Sequence, residues 1–322
     1  MIRKAACLFL SFATPLVAED IPLSMPIDCT LGDSCYIQNY VDHDPGEGFS
    51  DFTCGSLGYD GHKGTDFALP DLAAMARGVD VLAAAPGVVR GVRDGMIDRS
   101  IRAPDAPDVA GRECGNGLVL DHGDGWHTQY CHMKNGSLTV QKGQRVAKGA
   151  VLGQVGLSGR TEFPHLHLSL RHRGEIIDPF QTASTDSCGA PGPTLWDDPI
   201  AYVSGGVIEA GFLDRVPEFD EVKAGNLAAE TLPRTAAGLV LWGYFFGVRQ
   251  GDVITIELAG PEGFHSKTST LIKRNRALSF RASGKKRPGA SWPLGSYSGT
   301  VTLTRAGQPL DVRAASVEVT SQ

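Results

Sequence analysis

The stretch that decides the reading is Phe163-Pro164-His165-Leu166-His167-Leu168-Ser169-Leu170-Arg171-His172. Polar and apolar residues alternate from His165 to Leu170, the signature of a half-buried β-strand. On such a strand the leucines face a core and both imidazoles share the other face, ~7 Å apart. Pro164 is tolerated just before the strand begins. Two imidazoles on one rigid strand can address a single metal ion, although both need not ligate it. Catalytic zinc takes three protein ligands and keeps one open position. Upstream, His62-Lys63-Gly64-Thr65-Asp66 supplies another histidine and a carboxylate, and His132 stands in His127-Thr128-Gln129-Tyr130-Cys131-His132-Met133. Nitrogen and carboxylate donors suit zinc, whereas oxygen-only sites suit Mg²⁺ or Ca²⁺. Each motif alone is weak; their combination in one chain points to a metal site. No His-Glu-x-x-His helix is present, which excludes the thermolysin arrangement.

Outward from these motifs, glycines punctuate short apolar runs. Glycine accounts for 40 of 322 residues, about 12% against the usual ~7%, and no Gly-X-Y period accompanies it. Val88-Val89 and Leu118-Val119-Leu120 suit strands joined by tight turns, and His122-Gly123-Asp124-Gly125 reads as a hairpin turn. Arg93–Cys114, with Pro104 and Pro107, reads as a long surface loop. Cys188–Pro199 is dense in Gly and Pro and reads as a linker. Beyond it, Ile254, Ile256 and Leu258 share one strand face, as do Val301 and Leu303. Several short strands at regular spacing predict an Ig-like β-sandwich. Leu72–Arg77 and Ser204–Ala210 are the only weak helical patterns. The fold class is mainly β.

The first residues carry Arg3 and Lys4, then an apolar run from Ala5 to Val17 and a small residue, Ala18. That run is too short to span a bilayer and reads as a secretory signal peptide cleaved after Ala18. Cleavage moves the net charge from −6 to about −8 by removing Arg3 and Lys4. Cys7 leaves with it. The other cysteines are Cys29, Cys35, Cys54, Cys114, Cys131 and Cys188, an even number that suggests three disulfides in an exported chain. Cys29–Cys35 is the pair expected from proximity. All six precede residue 190, so the remainder must stand on its own core. The expected division is a signal peptide (1–18), an N-terminal segment (19–45), a peptidase domain (46–187), a linker (188–199) and a β-sandwich of unknown role (200–322). Hydrophobic residues make up 42% of the chain, which excludes disorder. The acidic balance disfavours a nucleic-acid binder.

With these motifs in hand, the chain resembles the lysostaphin/LytM-type zinc endopeptidases that cut peptidoglycan cross-bridges. The resemblance runs from Pro45 to Thr182. It rests on His62-Lys63-Gly64-Thr65-Asp66, Gly115-Asn116-Gly117, Asp121-His122-Gly123, Tyr130-Cys131-His132-Met133, Pro164-His165-Leu166-His167 and Asp178-Pro179. It implies a LytM-type antiparallel β-sheet domain with one Zn²⁺ per chain. His62, Asp66 and His167 would be the zinc ligands, and His132 and His165 the catalytic histidines. The implied activity is hydrolysis of peptidoglycan peptide cross-links by a zinc-activated water, in the periplasm or outside the cell. All five positions hold competent residues, unlike members that have lost ligands and activate amidases. A non-catalytic LytM-type envelope module, binding peptidoglycan or regulating an amidase, is the alternative. Cys131 departs from the family's small residue, and a disulfide there would pin the strand carrying His132.

The other histidines read as bland: His122 as structural, His43 and His172 as surface residues, and His265 as a loop residue. Simple alternation puts His127 and His132 on opposite faces. Lys273, Arg274, Arg276, Arg281, Lys285, Lys286 and Arg287 form a basic run with no acid between them. It reads as a solvated strand face or as a patch for anionic envelope polymer.

Overall fold

A computed structural model describes residues 21–183, 185–189 and 192–321. The expected signal peptide lies outside the described residues. The elements run β1 (Tyr36–Asn39), β2 (Thr65–Ala68), α1 (Leu72–Arg77), β3 (Asp80–Leu82), β4 (Gly87–Arg93), β5 (Asn116–Gly123), β6 (Trp126–Met133), β7 (Arg145–Val146), β8 (Val151–Gln154), β9 (His165–His172) and β10 (Glu175–Ile177). They continue with β11 (Gly206–Leu213), α2 (Phe219–Ala224), β12 (Thr231–Pro233), β13 (Gly238–Val248), β14 (Val253–Ala259), β15 (His265–Leu271), β16 (Arg276–Lys286), β17 (Gly295–Arg305) and β18 (Gln308–Thr320).

The first half is built on one antiparallel sheet in the order β1-β2-β9-β6-β5-β4-β7, with β10 on the outer part of β9. A small β3-β8 ladder lies beside it. One face buries Phe67, Leu118, Leu120, Tyr130, Leu166, Leu168 and Leu170 in a common core. The leucines of β9 therefore face inward as their alternation predicts. The β5–β6 turn places Asp124 and Gly125 at φ 50° and 88°, the left-handed pair that a two-residue hairpin needs. Residues after β4 form the long loop expected from Arg93 to Cys114.

Three disulfides lie in this half: Cys29–Cys35, Cys54–Cys188 and Cys114–Cys131. Leu195 and Trp196, in the Gly/Pro-rich stretch, are buried in the first core. Ser204–Ala210 is not helical: most of it belongs to β11, whose apolar residues pack between strands. The helix α2 had no legible signal beyond its acidic first turn, Asp220 and Glu221.

The second half stacks a β11-β13-β16 sheet on a β12-β18-β17-β14-β15 sheet. Between them lie Phe212, Leu241, Phe245, Trp292, Tyr297 and Val301. Strand β13 is buried along its whole length. Leu239, Leu241 and Phe245 face the sandwich core. Trp242, Tyr244 and Phe246 face the other way and join Tyr36 and Ala68 of the first sheet. A strand covered on both faces reads as a continuous apolar run, which Gly238–Val248 is. Tyr36 and Phe246 bring their rings to 4.6 Å. Among the described residues, no helix is long and apolar enough to cross a membrane.

Candidate metal centre

Register assembles the site. Asp66 on β2 lies opposite His167 on β9, and Ala68 opposite His165. Cys131 on β6 also lies opposite His167. The first sheet thus gathers the three motifs, far apart in sequence, onto its non-core face. His62 enters from the turn before β2. Gly64 is required there because a Cβ would stand 2.5 Å from the Leu168 carbonyl and 2.7 Å from the His167 ring.

His62, Asp66 and His167 offer donor atoms that all lie within 4.8 Å of one another. Asp66 Oδ1 is 2.8 Å from His167 Nδ1 and 3.2 Å from His62 Nε2. Burial opposes charge on Asp66, yet the His62 imidazole, with the other histidines, holds its carboxyl well below the usual range. Burial also pulls His62 down, but Asp66 outweighs it and the net shift is upward.

Around this cluster the imidazoles are held by neighbouring groups, from which their tautomers are assigned. His62 Nδ1–H donates to the Tyr40 carbonyl at 2.6 Å. His132 Nδ1–H donates to the Ser158 carbonyl at 2.8 Å. His165 Nδ1–H donates to the Phe163 carbonyl at 3.0 Å. With Nδ1 so engaged, His132 and His165 keep Nε2 as an acceptor, while His62 Nε2 lies 3.2 Å from Asp66 Oδ1. His167 is turned the other way, with Nε2 2.9 Å from Ser169 Oγ. Asp66 Oδ2 accepts from the Asn39 amide at 2.8 Å. Such second contacts fix orientation in metal centres. Tyr40 and Asn39 belong to the N-terminal part of the chain, and no local motif announced them. Their only signal was an apolar-polar run, Tyr36-Ile37-Gln38-Asn39, that could pair with β2.

His132 reaches the site by a break in its strand. Its φ is 63°, uncommon for a residue with a Cβ. Its N–H donates to the Cys114 carbonyl and its carbonyl accepts from Gly156 N–H. The Cys114–Cys131 disulfide anchors the preceding residue. The break cancels alternation, so Cys131 and His132 both serve the open face. His127 and Gln129 face it too, which corrects the expectation that His127 and His132 point apart. The rings of His132 and His165 lie 4.7 Å apart. Burial, then the neighbouring His165 and His167, hold His132 well below its ordinary value. Burial also lowers His165.

Other histidines also differ from expectation, and His265, expected in a loop, opens β15. His43 is buried, with Nε2 2.8 Å from Asp178 and Nδ1 2.8 Å from the Ser187 carbonyl. It is not one of the residues whose donor atoms converge in the metal cluster. His172 stacks on Trp126 at 4.2 Å. His122 bridges the Pro86 carbonyl and Thr128, as a structural residue does.

Residues 60–179 match peptidase family M23. Peptidoglycan DD-endopeptidase ShyB of Vibrio cholerae is 30% identical over 174 residues, covering 54% of this chain and 32% of ShyB. Peptidoglycan DD-endopeptidase ShyA of the same organism is 34% identical over 117 residues, covering 36% of this chain and 22% of ShyA. The match thus spans about a third or less of these relatives' length. Among solved structures, the catalytic domain of the prophage-encoded protein EnpA from Enterococcus faecalis aligns with a TM-score of 0.33 at 23% identity, covering 48% of this chain and 96% of that one. The chain carries a peptidase family M23 domain over residues 60–179.

Proposed function

We propose that this chain is an exported zinc metalloendopeptidase that hydrolyses peptide cross-links of bacterial peptidoglycan. The observation that carries this reading is the convergence of His62 Nε2, Asp66 Oδ1 and His167 Nδ1 beside the His132–His165 pair. Two imidazole nitrogens and one carboxylate oxygen fit a catalytic zinc, with His62, Asp66 and His167 as its holders. When bound, Zn²⁺ supplies Lewis-acid polarisation and lowers the pKa of a coordinated water towards ~7.

The chain's own residues do the rest. His132, kept neutral by burial, presents Nε2 as a proton acceptor for the attacking water and later returns that proton to the leaving amine. His165, held through Nδ1 by Phe163 and Thr161, is a second proton acceptor beside it, and only once protonated at Nε2 does it donate toward the charge developing on the scissile carbonyl. Tyr40 and Asn39 keep His62 and Asp66 in register. The names of ShyB and ShyA support peptidoglycan as substrate and put D,D-cross-links first among the bonds to test. Export is supported by the signal-like leader and the three disulfides.

The test uses purified chain and isolated sacculi. The parent should hold about one zinc and release fragments identified by mass spectrometry. His132→Ala and His165→Ala should keep the zinc and lose activity by roughly 10²–10⁴-fold. Full activity in those variants would overturn the assignment. A zinc-loaded parent that releases nothing would instead favour a non-catalytic envelope module.

A further inference from the structure

The open face of the first sheet is closed at one end and free at the other. At the β1–β2 end, Tyr36 and Ala68 are covered by Trp242, Tyr244 and Phe246 of the sandwich. From the histidines the face continues the other way, across β9, β6, β5 and β4. Three contiguous concavities follow it. The first, about 260 Å³, holds His132, His167, Gln129 and Arg171. The second shares Gln129 and Cys114 with it, and the third shares Arg171 with it and Val119 with the second. They form one groove running away from the metal centre.

Its charge opposes that of the chain. Lys63, Arg90, Arg93, Arg160, Arg171 and Arg173 line it, and Glu113 is the one acid among its lining residues. Among the described residues, the ion pairs of the protein use other cations. Arg171 is half-buried, and the partner of its guanidinium is the neutral Gln129 Oε1 at 2.9 Å. By contrast, Arg305 in the sandwich meets both carboxylate oxygens of Asp252 and the carbonyls of Ser204 and Gly247. A half-buried guanidinium held in place with donors left over, and without a counter-charge, is built for an anion from outside.

We propose that this groove selects peptide strands bearing free carboxylates, and that Arg171, oriented by Gln129, is the specificity-determining residue. The inference rests on the peptidase reading for the nature of the strand. It adds what the hydrolytic centre alone does not specify: the substrate is recognised by its anionic groups on the β9-β6-β5-β4 side. The planar fork of Arg171 suits a carboxylate, and the exposed Arg90 and Arg173 extend the positive field along the same path.

The experiment reads binding, so it does not depend on catalysis. The probes are a synthetic D-Ala-terminated peptide with free carboxyl groups and the same peptide with every carboxyl amidated. The parent should bind the acid form about tenfold more tightly, with a preference that shrinks as salt is added. In Arg171→Gln the gap should fall to about twofold or less, while Arg171→Lys should keep part of it. Lys223→Gln, on α2 away from the groove, should leave it unchanged. Equal affinity for both peptides in the parent, or a salt-insensitive preference, overturns the proposal even if the variants fail to fold. So does a full gap in Arg171→Gln. A preserved gap without release of sacculus fragments overturns the peptidase reading and leaves the groove intact; fragment release without a gap does the reverse.

Discussion

The two halves of the molecule invest their interiors differently. In the sandwich, Asp252, Ser266 and Ser279 are the buried polar residues among those described, and its core is otherwise aromatic and aliphatic. The first half buries Asn39, His43, Asp51, His62, Asp66, Asn116, His132, His165 and Asp178, among others. Polar burial costs stability unless each group is hydrogen-bonded. All three disulfides fall on the side with the polar interior. The difference teaches that covalent cross-links sit where the core must also hold chemistry, and that apolar packing suffices where it need not.

That contrast can be broken most directly at Cys54–Cys188, which closes a loop of 134 residues. Replacing both by Ser should destabilise the first half by about 4–5 kcal/mol on the chain-entropy account. Calorimetry should show this as a large drop in the first half's transition and a smaller one in the sandwich, whose β13 face the first half covers. Next in size, Trp292→Ala removes a fully buried ring whose Nε1–H donates to the Ala236 carbonyl. It should cost about 3–5 kcal/mol in the sandwich. If thiol reductant lowered both transitions equally, the two halves would not be stabilised by different means.

A smaller effect sharpens the contrast at the metal centre. Asn39→Ala leaves Asp66 Oδ2 without its amide donor, and metal affinity in a chelator competition should fall roughly 10–100-fold. Unchanged affinity would make Asn39 a packing residue only.

The smallest effect lies where the halves meet. Burial, then the nearby Asp71, pushes Glu209 of β11 up to about 7 against the opposing pull of Arg313 and Arg77. Because the folded form holds its proton more tightly than the unfolded one, Glu209 favours folding below the unfolded carboxyl range. That contribution is lost as pH rises through about 7. Glu209→Gln should therefore raise the melting temperature by a few degrees at pH 8 and leave it nearly unchanged at pH 4; the partial exposure of the side chain limits the gain. An equal shift at both values would remove the titration account.

Much of this was legible in the sequence, and the boundary is physical. Alternation in His165–Leu170 reports which residues share a face, so the leucine core and the paired imidazoles could be read directly. Asp124-Gly125 could be read because its turn needs left-handed φ at both positions. What alternation does not report is register between strands distant in sequence. Asn39 opposite Asp66, and Tyr40 behind His62, depend on such pairing. The placement of His132 depends on a left-handed residue fixed by the Cys114 and Gly156 backbones, and residue type alone gives no warning of that. Residues 238–246 form a continuous apolar run that suits a buried strand, but only the fold shows that its second face lies on the other half.

That second face has a mechanical meaning. Phe246 presses on Tyr36 at the start of β1, and the same short strand ends at Asn39, opposite Asp66. A tug or twist applied to the C-terminal half would therefore be transmitted along four residues of β-ladder to the carboxylate at the centre of the histidine cluster. The sandwich is a buttress for β1 and, through Asn39, for the Asp66 carboxylate.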